Sequence, residues 1–395
     1  MDTKVTEGID WVGHVDWTVR DFHSYSTVRG ATYNAYLIRD EKTALIDTVK
    51  GQFAKQLLSG IQGFVDPAKI DYLVCNHAEP DHAGALAATV AACPKAKVVC
   101  NEKCRKTLGQ YNDISKWDFE IVKTGATVSL GKRQLTFVDT PFVHWPESMV
   151  TYVPEEKLLF SMDAFGQHFA FSNLFDDQNP IEEVMTEAKK YYANIVMPFG
   201  KRVSNALKAC GELDLELIAP AHGVVWRTHR ERILTEYNEW VVCKPKPKVL
   251  VIYDSMWEST ATMAREIQTG ATKSGVDAKL IAIRATDLTE IATEVLDAAC
   301  VAFGSSTLNR GPMPMVAAVL SYLQGLSPSG KIGLPFGSYG WGVSGAQAIQ
   351  KYMEEMKWEL LREPLKCQYR PNEETLAECR TAGAALADKA LEMTG

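Results

Sequence analysis

The stretch CKPKPKVLVIYDS, which begins at Cys243, constrains this chain more than any other. Alternating lysine and proline removes backbone donors and fixes φ, so the segment runs extended, not helical, into an apolar strand. The patterning differs on its two sides, which predicts two domains, 1–245 and 246–395, with a boundary near Pro245. A chain of 395 residues is long enough for each to bury its own core.

Before the boundary, strand signals come in hairpin-like pairs. TYNAYLIRDEKTALIDTV reads as two strands around Arg39-Asp40-Glu41-Lys42, and SMVTYVPEEKLLFSMD as two more around Pro154-Glu155-Glu156. Helical patterns such as GQFAKQLLSGIQGF and IEEVMTEAKKYYANIVM are interleaved with them. Hairpins mixed with strand–helix units predict an α+β sandwich. After the boundary, VLVIYD, AKLIAIR, CVAFGSS, KIGLPFGSYG and WELLREPLKC alternate with helical segments, which predicts a doubly wound α/β domain with a parallel sheet.

Charge and composition exclude several classes. A formal charge of -7 argues against a nucleic-acid binder, and the basic run WRTHRER reads as solvated helix surface. No apolar run approaches the ~18–20 residues that span a bilayer. The opening MDTKVTEGIDWVGHV carries acids where a signal peptide needs an apolar core, so a cytoplasmic protein is expected. None of the nine cysteines forms a Cys-x-x-Cys pair; they read as reduced, mostly buried thiols.

The chemistry concentrates in NHAEPDHAGAL, where His77, Glu79, Asp81 and His82 fall within six residues. His77 ends the strand pattern DYLVCNH, and Asp81 stands where a helix N-cap is expected, so a strand-to-helix turn projects all four side chains into one loop. His144, Asp163 and His222 each follow an apolar strand pattern, which allows convergence on one sheet edge. Four histidines and three carboxylates suffice for two metals if one carboxylate bridges. Alone, any of these three has a turn or core role as its competing reading; the six-residue cluster does not.

Dinuclear zinc hydrolases of the metallo-β-lactamase superfamily resemble this cluster but carry His-x-His-x-Asp-His. Here Glu79 replaces the second histidine, and an added anionic oxygen donor shifts preference from zinc towards iron. No thiolate is among the candidates.

Three loops in the second half converge on another site. The first holds Ser255, Met256, Trp257, Ser259 and Thr260, whose hydroxyls and backbone amides at a helix N-terminus suit one phosphate. The second holds Gly304, Ser305, Ser306, Thr307, Leu308 and Asn309; the third holds Ser338, Tyr339, Gly340, Trp341 and Gly342. In a sheet of order 2-1-3-4-5 these loops surround the switch-point crevice, and the aromatics suit an isoalloxazine ring. A dinucleotide glycine fingerprint and a Walker loop are absent, so FMN is expected. The competing reading of any single loop is an ordinary helix cap or core aromatic.

With His77-x-Glu79-x-Asp81-His82, then His144, Asp163 and His222, then SMWEST and GSYGWG, the chain resembles the flavodiiron proteins over essentially its full length. The resemblance implies a metallo-β-lactamase-like αββα sandwich with two iron ions, followed by a flavodoxin-like FMN-binding domain. It implies that His77, Glu79 and His144 hold one iron, that Asp81, His82 and His222 hold the other, and that Asp163 bridges. It also implies a head-to-tail homodimer or a dimer of such dimers, and a separate redox donor such as rubredoxin, since no Cys-x-x-Cys module follows. No residue beyond the metal ligands and the flavin is assigned as catalytic. His23, His168, Tyr191 and Tyr192 are candidates for proton delivery, with core or surface roles as the alternative.

The activity implied is reduction of O2 to water and/or NO to N2O, by electrons passing through FMN to a diiron centre. Two competing readings are a dinuclear metal hydrolase with an appended flavin domain and a non-enzymatic flavin electron carrier. Glu79 argues against the hydrolase.

Overall fold

The computed structural model describes residues 2–395. Contacts divide the chain into two units: one runs to Tyr192 and resumes over Phe199–Asn238, the other takes Ala193–Pro198 and Glu239–Gly395.

The first unit holds two sheets. One has seven strands in the order Lys4–Thr6, Ile9–Trp11, Tyr36–Arg39, Thr43–Ile46, Tyr72–Val74, Lys97–Cys100 and Phe119–Ile121. The other has five: Thr127–Ser129, Gln134–Asp139, Met149–Val153, Leu158–Met162 and Leu217–Pro220. Period-two alternation explains the layering. Leu37, Leu45, Leu73 and Val98 point outward to a core shared with Leu57 and Ile61 of helix Ala54–Gln62 and Leu108 of helix Glu102–Tyr111. Their strand neighbours face the second sheet, where Tyr36 meets Phe160 with ring centroids 5.0 Å apart and donates its hydroxyl to the Pro220 carbonyl. The outer face of the second sheet presents Val138, Val150, Tyr152 and Leu159 to Cys210, Leu213 and Leu215. Helix, two sheets and helix thus stack in four layers. Full burial of a side chain such as Leu57 contributes about 2 kcal/mol.

Both expected hairpins form. Tyr36–Arg39 pairs antiparallel with Thr43–Ile46, and Met149–Val153 with Leu158–Met162 across a turn at Pro154–Glu156. One local expectation is corrected. The helix after His77 begins at Pro80, not after a capping Asp81, because proline at the first helical position needs no partner for an amide. Asp81 therefore lies within the first turn, and its carboxylate is released for another role.

The second unit carries a parallel sheet in the order Asp277–Ala282, Lys246–Asp254, Ala298–Ser305, Ile332–Tyr339 and Glu359–Leu360. This is the order 2-1-3-4-5. The last expected strand is split: Glu359–Leu360 and Leu365–Gln368 both pair with Ile332–Tyr339, and Pro364 lies in the break, where it can donate no ladder bond. Every side chain from Val249 to Ile252 is fully buried, as expected of a strand covered on both faces. Helices Ser259–Ala271 and Glu373–Glu392 cross closely on one face. A Cβ at Gly270 would stand 2.0 Å from the Arg380 carbonyl oxygen, and one at Gly383 2.0 Å from that of Ile267, so only glycine permits the crossing. Ala193–Pro198 also joins this unit, although no local sequence signal marks it. Asn194 donates to the Thr289 carbonyl and accepts from the Tyr322 hydroxyl at 2.8 Å.

Candidate metal centre and cofactor cavity

All seven candidate ligands of the first unit come together, each delivered from the end of a strand or the loop behind it. They form two groups, His77, Glu79, His144 and Asp163 in one, and Asp81, His82 and His222 in the other. Every one is buried; His144, at 9 % exposure, is the least so.

In the first group Glu79 Oε2 lies 3.1 Å from His77 Nε2 and 3.0 Å from His144 Nε2. In the second, Asp81 Oδ2 lies 3.2 Å from the Nε2 atoms of both His82 and His222. Asp163 reaches both. Its Oδ2 is 3.6 Å from His77 and His144, while its Oδ1 is 3.3 Å from His82 and 3.7 Å from His222. The adjacent Asp81 and His82 turn towards the same point.

Apart from the His77–Glu79 hydrogen bond, these atoms attract one another without being aligned for hydrogen bonding. Both oxygens of Asp81, Oδ2 of Asp163, both ring nitrogens of His82 and Nε2 of His222 are buried without a hydrogen-bond partner among the described residues. Leaving that many polar atoms unsatisfied costs about 1–3 kcal/mol each, so the arrangement calls for cations between them. Mixed imidazole and carboxylate donors with no thiolate suit iron better than a soft metal. The residues fit a dinuclear centre.

Electrostatics agree. Burial alone would raise the Glu79 carboxyl, yet His144, His23 and His77 hold it far below its ordinary range. Burial likewise opposes ionisation of Asp163, and the His82 imidazolium overrides it. Burial works against a charged His82, but Asp81 and Asp163 hold its pKa up at about 9. The site is built for ionised carboxylates facing positive charge, a role that bound cations take over from protons.

Supporting groups set the ring orientations. Nδ1 of His77 is 2.8 Å from Oε1 of the buried Glu147, and Nδ1 of His222 is 2.6 Å from the Thr32 carbonyl oxygen. Each Nδ1–H donates outward, which leaves the Nε2 lone pair pointing into the cluster. The glycine after His222 matters here: Gly223 has φ +77°, and a Cβ on it would fall 1.8 Å from Gln167 Oε1. Tyr191 donates its hydroxyl to Asp163 Oδ1 at 2.9 Å, and burial keeps that phenol protonated. His23 Nε2 lies 3.0 Å from Glu79 Oε1 with its own side chain about half exposed. His168 is fully buried, stacked on Tyr25 and edge-on to Tyr191 and His222; burial depresses its pKa, so the ring stays neutral. Tyr192 packs edge-on against Tyr237. Sequence reading missed Glu147. The signal was present, since it follows His144 by three residues in a turn, but nothing local says that it reaches His77.

The second unit contains a cavity of about 1090 Å³ at the carboxyl ends of its strands. It is lined by Met256, Trp257 and Ser259, by residues 306–309 and by residues 338–342, all expected. Four expected residues do not reach it. Thr260 is fully buried and its hydroxyl already bonds to those of Ser306 and Ser338. Ser255 accepts from the Ala261 amide. The Ser305 hydroxyl donates to the Ser306 carbonyl and accepts from the Met313 amide. Gly304 lies beneath the Phe336 ring, which a Cβ would strike at 2.2 Å. Conversely Arg310, Val343, Ser344, Tyr369 and Arg370 line the cavity without having been singled out. Tyr369 and Arg370 lie beyond the last strand, too far along the chain for loop signals to include them.

Trp257 is 87 % exposed and Trp341 95 %, an unusual position for so much apolar area unless a flat ring covers it. The Ser344 hydroxyl is buried there without a partner among the described residues. The Ser259–Ala271 helix starts beside them with no cap from its N-cap residue Glu258; Ser255 takes the Ala261 amide, and the amides of Ser259 and Thr260 are left for a phosphate. A flavin mononucleotide fits both features.

Residues 31–223 match the ODP family beta lactamase and residues 251–383 match Flavodoxin. The chain is 44% identical over 388 residues to the nitric oxide reductase of Moorella thermoacetica, covering 97% of each chain. The chain belongs to the flavodiiron proteins. This flavodiiron protein is also 39% identical to the rubredoxin-oxygen oxidoreductase of Megalodesulfovibrio gigas, over 98% of its own length and 97% of the relative's. The crystal structure of the flavodiiron protein from Giardia intestinalis superposes with a TM-score of 0.97 at 37% identity, covering 100% of this chain and 98% of that one.

Proposed function

We propose that this flavodiiron protein is an oxidoreductase that reduces O2 to water and/or NO to N2O, taking electrons through FMN to a diiron centre. The observation that carries the reading is Asp163, whose two carboxylate oxygens are divided between two buried ligand groups. His77, Glu79 and His144 would hold one iron, Asp81, His82 and His222 the other, with Asp163 between them. The cavity around Trp257 and Trp341 would hold FMN, with Ser259 and the helix amides at its phosphate. The proposed domains are 1–245 and 246–395.

When bound, the iron pair and the flavin supply two electrons each, and the irons offer coordination positions for a diatomic gas. The chain's own residues do the rest. His77 and His222 are locked by Glu147 and Thr32 so that their lone pairs cannot swing away. Tyr191 holds a proton at Asp163 Oδ1, within the water-poor interior made by Phe22, Tyr25 and His168. His23 contacts Glu79 Oε1 and is half exposed, which gives protons a polar way in from solvent.

Relatives' names support a rubredoxin-type donor, proposed here as a separate protein. A head-to-tail homodimer or dimer of dimers and a cytoplasmic location are part of the same proposal. Among the described residues, no helix is long and apolar enough to cross a membrane. The test is anaerobic: the protein, with iron and FMN confirmed, is fully reduced and its O2 and NO consumption followed in parallel with the same reduced rubredoxin. Turnover of either gas supports the reading and ranks the two; turnover of neither, or a centre that takes only zinc when iron is supplied, overturns it.

A further inference from the structure

A second, smaller cavity of about 30 Å³ lies inside the first unit, between the second sheet and helix Gly200–Cys210. Its walls include Val150, Leu159, Val203 and Leu207. Two of its polar side chains are turned to the backbone. The Ser161 hydroxyl donates to the Ala164 carbonyl at 2.8 Å, and the Tyr237 oxygen accepts from the Phe165 amide at 2.6 Å. Thr140 contributes a buried hydroxyl without a partner among the described residues.

A lodged water needs about 10–15 Å³ and two to four polar partners. This cavity has the room but offers a water too few partners. An apolar diatomic molecule, only slightly larger than water, loses nothing on entering such a wall and gains dispersion contacts.

Location gives the cavity a role. Val143 immediately precedes His144, and Ala164 and Phe165 immediately follow Asp163, so the walls are the same two loops that carry these candidate ligands. The outer wall is formed by Ala206, Leu207 and Cys210, which are only partly buried. The lining thus extends from a partly buried helix to the backbone beside His144 and Asp163. His23, the half-exposed polar group at Glu79, is not among its lining residues.

We propose that this cavity is a docking site for the diatomic gas substrate, a reservoir beside the His144 and Asp163 loops that is separate from the polar approach at His23. The inference rests on the gas-reductase reading above and adds where the gas waits.

The test combines a structural and a kinetic readout on the iron- and FMN-loaded protein. Crystals of the parent held under krypton pressure should show the gas in this cavity. Ala206→Phe and, as a second blocking variant, Leu207→Trp should exclude krypton. Each should also lower the second-order rate with limiting O2 or NO several-fold while leaving saturated turnover, iron and FMN content unchanged. A parent that turns over either gas but carries no krypton overturns the cavity proposal alone. So does a blocked variant, krypton-free and cofactor-replete, that consumes limiting gas as fast as the parent. If neither variant holds its cofactors, krypton in the parent decides the matter. Krypton in a parent that consumes neither gas removes the gas-reductase reading and the docking role with it. Thr140→Val should retain krypton; its loss there would mean that the cavity holds water on the hydroxyl, and would overturn the proposal.

Discussion

His77 Nδ1 and Glu147 Oε1 stand 2.8 Å apart, and neither side chain is more than 2 % exposed. The Ala78 amide also donates to that oxygen, at 3.3 Å, so the carboxylate is fixed before the ring meets it. Burial opposes ionisation of Glu147, but its bond to His77 keeps the carboxyl below its usual range. The pair orients a ligand and raises its basicity.

Glu147→Ala should therefore weaken iron binding by about 10–100-fold, the usual cost of losing such a partner. Glu147→Gln keeps an acceptor and should lose less. Iron retained per chain against a competing chelator measures both; an alanine variant that holds iron as tightly as the parent would contradict this role.

The metal-free protein should have a distinctive pH dependence. His82 has its pKa raised from 6.5 to about 9, so its contribution to stability is complete below about 6.5 and is lost as pH rises through about 9. Glu79 and Asp163 are shifted the other way, so their contribution is present above the ordinary carboxylate range and is lost only in strong acid. Denaturant midpoints with chelator present should fall between about pH 6.5 and about pH 9. Iron binding must expel those protons, so affinity should rise over the same window. A midpoint flat across it would show that the histidine charges do not stabilise the metal-free fold.

Trp257 and Trp341 bury almost nothing against the rest of the chain. Replacing either with alanine should leave the melting temperature of the FMN-free protein unchanged and weaken FMN by about 1 kcal/mol, the worth of one aromatic contact. Flavin fluorescence titration reads the affinity. A destabilised FMN-free variant would mean instead that the ring packs against protein.

All of the cysteines except the half-buried Cys210 are buried, and burial pushes the thiol pKa of Cys93 and Cys210 up to about 11 and of Cys300 and Cys379 up to about 12. A thiol reagent at about pH 8 should react slowly with Cys210 alone in the native protein, because the thiolate is the reactive form. Unfolding should release all nine. Fast native labelling of several thiols would count against the packing around them.

Sequence alone determined the features that depend on near neighbours. The Lys-Pro stretch after Cys243 marked a change of architecture, because proline chemistry is local. Alternating apolar patterns marked the hairpins and continuous apolar runs the parallel strands, and the spacing of His77, Glu79, Asp81 and His82 marked a metal loop.

Tertiary structure decided what depends on partners distant in sequence. It divided the oxygens of Asp163 between two groups brought from four separate loops, and it placed Glu147 behind His77, 70 positions away. It turned Thr260 inward to Ser306 and Ser338, so that a residue with the right chemistry for phosphate became part of the support beneath the cavity. It attached Ala193–Pro198 to the second unit through Asn194. A hydroxyl or carboxylate has the same chemistry wherever it occurs; whether it binds a ligand or braces its neighbours depends on which groups the packed chain leaves for it to satisfy.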